Sequence, residues 1–305
     1  MEIYLPVAEM SVPWIVMVGL GLVVGFLSGM FGVGGGFLMT PLLVFCGIPS
    51  AVAVATTLSH ITASSVSGAL AQWKKRAIDF VMAGVMLGGG LAGTLVGVWL
   101  FALMRRQGQM DLIVSVSYVL LLGTVGTIML SESLATLRAY RSGQAVSARP
   151  VNHVWIHGLP LKMRFRQSRL YISVIPPVGI GFVVGALSAV MGIGGGFIIV
   201  PAMIYLLRMP TAMVMGTSLV QIIAVTGVTT VLQATSNYSV DIVLALLLVV
   251  GGVVGAQMGV RTGARLRGEQ LRLLLAVVVL AVCAGLLWQL LARPTDAYSL
   301  LLGMP

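Results

Sequence analysis

Stretches of roughly 20 residues without a single charged side chain recur along this 305-residue chain, and about 20 apolar residues are what an α-helix needs to cross a bilayer core. Only 9% of the residues are charged and 58% are hydrophobic, with a mean hydropathy of +1.06. A soluble domain of this size carries about a quarter charged residues to cover its surface. The pattern excludes an ordinary soluble enzyme, a disordered chain and a fibrous one. It leaves an all-α polytopic membrane protein. The two cysteines, Cys46 and Cys283, sit in apolar runs without CxxC spacing, so neither a disulfide framework nor a zinc site follows. The opening MEIYLPVAEM has no Lys or Arg, so it lacks the basic start of a signal peptide, and the first span is expected to be retained.

The apolar segments fall in two groups: 13–31, 37–47, 50–72, 78–103 and 111–131, then 172–191, 197–208, 211–234, 241–260 and 271–292. Segments 37–47 and 197–208 are too short to span. The groups repeat each other. Residues 21–41 read GLVVGFLSGMFGVGGGFLMTP and residues 181–201 read GFVVGALSAVMGIGGGFIIVP, identical at 12 of 21 positions at an offset of 160. At offsets of 161 to 162, Pro49 matches Pro210, Thr56-Thr57-Leu58 matches Thr217-Ser218-Leu219, His60 matches Gln221, Gln72 matches Gln233, Asp79 matches Asp241, and Gly93 and Gly97 match Gly255 and Gly259. The chain is therefore a duplication: an N-terminal transmembrane repeat over 13–131, a basic linker over 132–170 and a C-terminal repeat over 171–292.

The net charge of +10 arises from 18 Lys+Arg against 8 Asp+Glu. In a soluble protein that excess points to nucleic acid; here it is a matter of loop placement. If each half crosses the membrane an even number of times, the basic residues divide 11 inside and 7 outside. If each crosses an odd number of times, only Arg105, Arg106 and Arg293 stay outside and the split is 15 to 3. The positive-inside rule favours the second arrangement, an inverted repeat with the termini outside and the linker in the cytoplasm. Within the linker, VWIH and LKMRF alternate around Gly-Leu-Pro, which predicts a β-hairpin. Seven Lys/Arg and no acid between 138 and 170 suit contact with anionic lipid.

Each half contains four glycines within five residues: Gly32, Gly34, Gly35 and Gly36, and Gly192, Gly194, Gly195 and Gly196. Such clusters break a helix. Broken backbone at membrane depth belongs in protein or along a cavity. The helix that restarts after the break presents free N–H groups and a positive dipole end, an arrangement that holds anions. The restarted helices are expected to end or bend near Pro41 and Pro201. The plainer reading is close helix packing through small residues. No phosphate loop or dinucleotide fingerprint fits, because no Lys-Ser/Thr follows either cluster and no βαβ unit surrounds it.

A polar helix face follows each cluster: Thr56, Thr57, Ser59, His60, Thr62, Ser64, Ser65 and Ser67 in the first half, and Thr217, Ser218, Gln221, Thr226, Thr229 and Thr230 in the second. Hydroxyls and amides bond an oxyanion without repelling it, though many Ser and Thr in membrane helices serve only interhelical contacts. His60 is ionisable within a span, while its counterpart Gln221 cannot titrate. Asp79 and Asp241 are expected to cap helices. Neither sits in a Gly-x-Gly-Asp context, and no His-Glu-x-x-His or Gly-x-Ser-x-Gly motif occurs, so an enzyme is not expected.

The doubled pattern G-x-x-S-x-x-x-G-x-G-G-G-F-x-x-x-P runs from Gly25 to Pro41 with Thr56-Thr57-Leu58, and from Gly185 to Pro201 with Thr217-Ser218-Leu219. It resembles the TauE/SafE family, the sulfite exporter-like permeases, over about 13–292. The resemblance implies a multi-pass inner-membrane secondary transporter of small sulfur-containing anions: sulfite, an organosulfonate such as sulfoacetate, or thiosulfate. On this reading Gly34, Gly35, Gly36, Gly194, Gly195 and Gly196 hold the anion, Thr56, Thr57, Thr217 and Ser218 complete the site, and His60 and Gln221 gate it or sense a proton. Transport would proceed by alternating access, with a proton or Na+ as coupling ion, no cofactor, no metal and no nucleic acid. A homo-oligomer, a passive anion channel, and a membrane scaffold or sensor working through the basic loop remain open at this stage.

Overall fold

The computed structural model describes residues 2–31, 34–74, 78–107, 110–141, 160–165, 167–168, 170–207, 209–263 and 268–292. Among them the first half forms a hairpin of β1 (Glu2–Leu5) and β2 (Met10–Pro13), then α1 (Trp14–Phe31), α2 (Gly36–Phe45), α3 (Ser50–Lys74), α4 (Phe80–Arg106) and α5 (Met110–Arg141). The second half follows the same order: β3 (Lys162–Phe165), β4 (Leu170–Ser173), α6 (Ile175–Met191), α7 (Gly196–Pro201), α8 (Thr211–Ser236), α9 (Ile242–Gly263) and α10 (Gly268–Leu291). Six stretches within these helices are long and apolar enough to cross a membrane, falling in α1, α4, α5, α8, α9 and α10. α3 is as long, but it carries the polar face. Large side chains such as Leu95, Trp99, Leu120, Leu246 and Trp288 are exposed on the outer helices, where lipid tails solvate them. The chain is a polytopic helical membrane protein.

The halves interlock. Each half's first helix packs along the other half's fourth, and glycine stripes bring the backbones together. A Cβ on Gly21, Gly25 or Gly29 of α1 would stand 2.5, 2.3 or 2.1 Å from the carbonyl oxygens of Leu248, Gly252 and Ala256 on α9. α4 meets α6 in the same way: a Cβ on Gly89 or Gly93 would stand 2.1 or 2.0 Å from the carbonyls of Val178 and Phe182. In both seams the residue numbers rise together, so the paired helices run in the same direction. The Gly93/Gly97 and Gly255/Gly259 pairs thus serve packing.

The equivalent helices α3 and α8 run the opposite way along each other. Thr62 Oγ1 lies 2.8 Å from Thr226 Oγ1, and two turns further along α3, a Cβ on Gly68 would sit 3.2 Å from Leu219, earlier in α8. α5 and α10 also pair antiparallel, with Gly123 beside Cys283 and Gly126 beside Leu280.

Three features differ from the expectations. The strand Lys162–Phe165 pairs with Leu170–Ser173, whereas the expected partner VWIH lies outside the described residues. The pairing follows from the turn at 167–168, which leaves equal strands on either side. Second, this hairpin has a copy at the N-terminus, in the same register at an offset of 160: Glu2 pairs with Pro13 as Lys162 pairs with Ser173. A hairpin of the same register thus precedes the first helix of each half. Third, Pro41 lies inside α2 without ending it, whereas α7 ends at Pro201 as expected and passes into a π-helical turn, Ala202–Leu206. Proline lacks an N–H and displaces the regular hydrogen-bond register, which a wider turn absorbs.

Candidate functional site

At each glycine cluster the chain turns from one helix into the next, α1 into α2 and α6 into α7. Gly34 and Gly35 have φ of 87° and 64°, and Gly194 and Gly195 have 72° and 79°. A residue with a Cβ would pay about 1–2 kcal/mol for each such conformation. α2 and α7 start directly after the turns, and no side chain caps either start. The two turns meet. A Cβ on Gly36 would lie 2.6 Å from the carbonyl oxygen of Ile193 and 2.8 Å from that of Gly192. Just beyond, Phe37 and Phe197 stack with ring centroids 4.7 Å apart. The described tip residues, 34–36 and 192–196, are all buried. The tips thus abut at the crossing of α3 and α8: Ile61 of α3 lies against Gly34, Gly36 and Gly194, and Ile222 of α8 lies beside Gly34.

Of the residues expected to complete the tips, Thr56, Thr217 and Ser218 have other partners, while the Thr57 hydroxyl has none. Thr56 Oγ1 accepts a hydrogen bond from the backbone N–H of Asp241 at 3.1 Å, and Thr217 Oγ1 accepts one from the N–H of Asp79 at 3.0 Å. The relation is reciprocal between the halves. Both aspartates cap helices as expected: Asp79 Oδ1 accepts from the N–H groups of Val81 and Met82, and Asp241 Oδ1 from those of Val243 and Leu244. Ser218 Oγ donates to the Met215 carbonyl. Gln233 donates to the Ala189 carbonyl at 3.0 Å, an interhelical contact.

His60 and Gln221 also occupy matched places, at the seams. The His60 ring lies against Gly252, beside the α1–α9 seam, and the Gln221 amide lies 3.4 Å from a Cβ position on Gly90, beside the α4–α6 seam. At Gly252 the His60 ring takes the space a side chain would need, whereas at Gly90 it is a Val225 methyl, 2.7 Å from the Cβ position, that does so. Neither nitrogen of His60 and neither amide atom of Gln221 has a hydrogen-bond partner, and the hydroxyls of Thr40, Thr57, Ser65 and Ser188 are buried and unpartnered as well. Buried polar atoms in native proteins are nearly always bonded to something. This set on α2, α3, α6 and α8 therefore offers donors and acceptors to water or to a bound solute.

Thr40, Ser28 and Ser65 stand beside the tips, with Thr40 Oγ1 3.0 Å from a Cβ position on Gly192. Ser65 Oγ is 3.7 Å from a Cβ position on Gly34, and Ser28 Oγ is 3.3 Å from one on Gly35. The signal for Ser28 was the serine that recurs as Ser188 in both copies of the glycine motif. Among the described residues no group of His, Cys, Asp and Glu could hold a metal ion. A cleft of about 590 Å³ opens elsewhere, between the ends of α4 and α8, lined by Trp99, Arg105, Arg106 and Asn237 among others, and it contains none of the tip residues.

Uncharged donors around paired helix starts, buried in an apolar bundle, suit passage of a small polar solute. Proteins of similar sequence are named as membrane transporters. A probable membrane transporter protein of Xylella fastidiosa (strain 9a5c) is 30% identical over 285 residues, covering 90% of this chain and 95% of that protein. A probable membrane transporter protein of Bacillus subtilis (strain 168) is 28% identical over 274 residues, covering 89% and 97%. One from Methanocaldococcus jannaschii is 23% identical over 274 residues, covering 85% and 90%. No solved structure matches the chain. The profile of the sulfite exporter TauE/SafE family matches residues 17–286, and the chain belongs to this family of membrane transporters.

Proposed function

We propose that this transporter moves a small sulfur-containing anion, such as sulfite, sulfoacetate or thiosulfate, by alternating access between two inverted halves. The observation that carries the reading is the meeting of the two glycine turns, each opening an uncapped helix, at the crossing of α3 and α8. N–H groups at such starts favour an anion, and the side chains around the tips carry no charge that would hold it too tightly to release. The antiparallel registers of α3 with α8 and α5 with α10 support inversion, since parallel halves would place equivalent helices side by side in the same direction. Substrate sites between inverted repeats lie near the bilayer midplane. Thr57, Ser65, His60 and Gln221, with their unpartnered polar atoms, are the side chains nearest in kind to what an oxyanion needs. Thr56 and Thr217 are assigned instead to the contact between halves.

The test is flux of labelled sulfite, sulfoacetate and thiosulfate into proteoliposomes. Saturable uptake accelerated by substrate on the opposite side is the expected result. Flux equal to that of empty liposomes for all three would overturn the substrate class, and flux indifferent to trans substrate would overturn alternating access.

A further inference from the structure

We propose that Asp79 and Asp241 are positioning residues that latch two gates, and that the gates are the β-hairpins they hold. The proposal rests on the carrier reading above. Helix capping uses one oxygen of each carboxylate, Oδ1. The other oxygen is directed to a hairpin of the opposite half. Asp79 Oδ2 accepts from the N–H and the hydroxyl of Ser168, at 3.1 and 2.6 Å, in the turn between β3 and β4. Asp241 Oδ2 accepts from the N–H of Val7 at 2.9 Å, in the turn between β1 and β2. A cap at a membrane surface would leave this second oxygen to water. Here both aspartates are buried, 1% and 0% exposed.

Each latch joins three pieces. Asp79 of the first half gathers the second half's hairpin and, through its own N–H, Thr217 near the start of α8. Asp241 of the second half gathers the first half's hairpin and Thr56 near the start of α3. Because α3 and α8 are antiparallel, their starts lie at opposite ends of the pair. The two latches therefore sit at opposite ends of the path through the tips.

Both hairpins are anchored by apolar side chains. Leu5 and Val12 belong to a buried apolar cluster that also holds Phe37, Phe197 and Ile193, and Phe165 and Ile172 to a second one that also holds Ile61 and Ile222. Each hairpin has only four-residue strands, and an isolated pair of strands is marginal in water. Its hold on the bundle is thus the apolar wedge plus the aspartate. Breaking one latch frees one hairpin and opens the tips to one side, while the other latch keeps the far side closed.

Replacing Asp by Asn separates capping from latching. The amide oxygen can still cap at Oδ1, whereas the amide nitrogen meets the hairpin's backbone N–H as another donor; the Ser168 hydroxyl alone can turn to accept from it. The reporter is Ser65→Cys in the full chain, with Cys46 and Cys283 replaced by Ala, labelled by a membrane-impermeant thiosulfonate on each face of reconstituted vesicles. Asp79→Asn is expected to speed labelling about tenfold from the face bearing the start of α4, and not from the other. Asp241→Asn is expected to act from the opposite face, since it loses the bond from the Val7 N–H. Equal acceleration from both faces, or none in a variant whose thermal unfolding matches the parent, would overturn the proposal. Should Asp79→Asn fail to insert, Ser168→Ala keeps the cap and is expected to open the same face to a smaller degree; unchanged labelling there also overturns it. Wild-type flux tests the carrier reading separately, so absent flux and absent one-sided labelling are distinguishable failures.

Discussion

Gly36→Ala is the sharpest test of whether the two tips act together. Gly36 is the first residue of α2, in helical conformation, so alanine brings no backbone strain. What it brings is a methyl group 2.6 Å from the Ile193 carbonyl oxygen and 2.8 Å from that of Gly192. Ordinary contact starts near 3.4 Å, so the tips must part by the difference, about 0.8 Å. The end of the Ile61 side chain, at 2.2 Å, can rotate away, but backbone carbonyls of the opposite tip cannot. Overpacking of this kind costs about 1–3 kcal/mol. A displacement near 1 Å at a site of bound solute can cost on the order of 100-fold in rate. The expected result is a transporter that inserts normally, melts a few degrees lower and loses at least about tenfold in proteoliposome flux. Gly34→Ala is the contrast: at φ 87° it pays strain, but its methyl meets atoms only at 3.5 Å and beyond, so the tips stay together. Gly88→Ala, with nothing within 4 Å, is the control and should be neutral or slightly stabilising. Wild-type flux and KM in Gly36→Ala would refute a site built from both tips.

Gly93→Ala should act on stability, because its methyl would meet the Phe182 carbonyl at 2.0 Å across the α4–α6 seam; thermal unfolding in detergent is expected to show loss of about 1–3 kcal/mol, and an unchanged midpoint would mean that the seam is looser than described. His60→Gln gives His60 the same chemistry as Gln221, and it is expected to keep both transport and its dependence on pH between about 5 and 8; a flattened profile would instead make His60 the carrier of a coupling proton. Inversion of the halves predicts that single cysteines at Ser236 and Arg267 label from opposite faces of the membrane, and labelling from one face would reject it.

Much of this architecture was legible because its signals are local or internal to the chain. Charge-free runs mark helices in lipid wherever they pack, since lipid offers no partner to an unpaired backbone group. The glycine turns were legible too: only glycine adopts left-handed φ at Gly34, Gly35, Gly194 and Gly195 without strain, so the cluster itself states where the chain turns. The second copy of the motif confirmed the first. The N-terminal hairpin was not legible. Its copy at 162–173 keeps register and burial, with Leu5 and Phe165 both fully buried, but hardly any residue identity. Two short strands need only alternation, which many sequences satisfy.

What sequence by itself determined is the polytopic helical class, the duplication, the two breaks and the family. Each follows from residue chemistry repeated at a fixed spacing. Tertiary structure decided which polar residues meet. Thr56 and Thr217 belong to the same polar runs as Thr57 and Ser218, yet they bond backbone of the opposite half at Asp241 and Asp79. Asp79 and Asp241 read as caps, and only the fold shows the second oxygen holding a hairpin. Ser28 and Ser65 stand beside the tips because the helices cross there. Periodicity places a side chain on a face of its own helix. Which element covers that face depends on the packing of the other half, and no spacing along one chain encodes it.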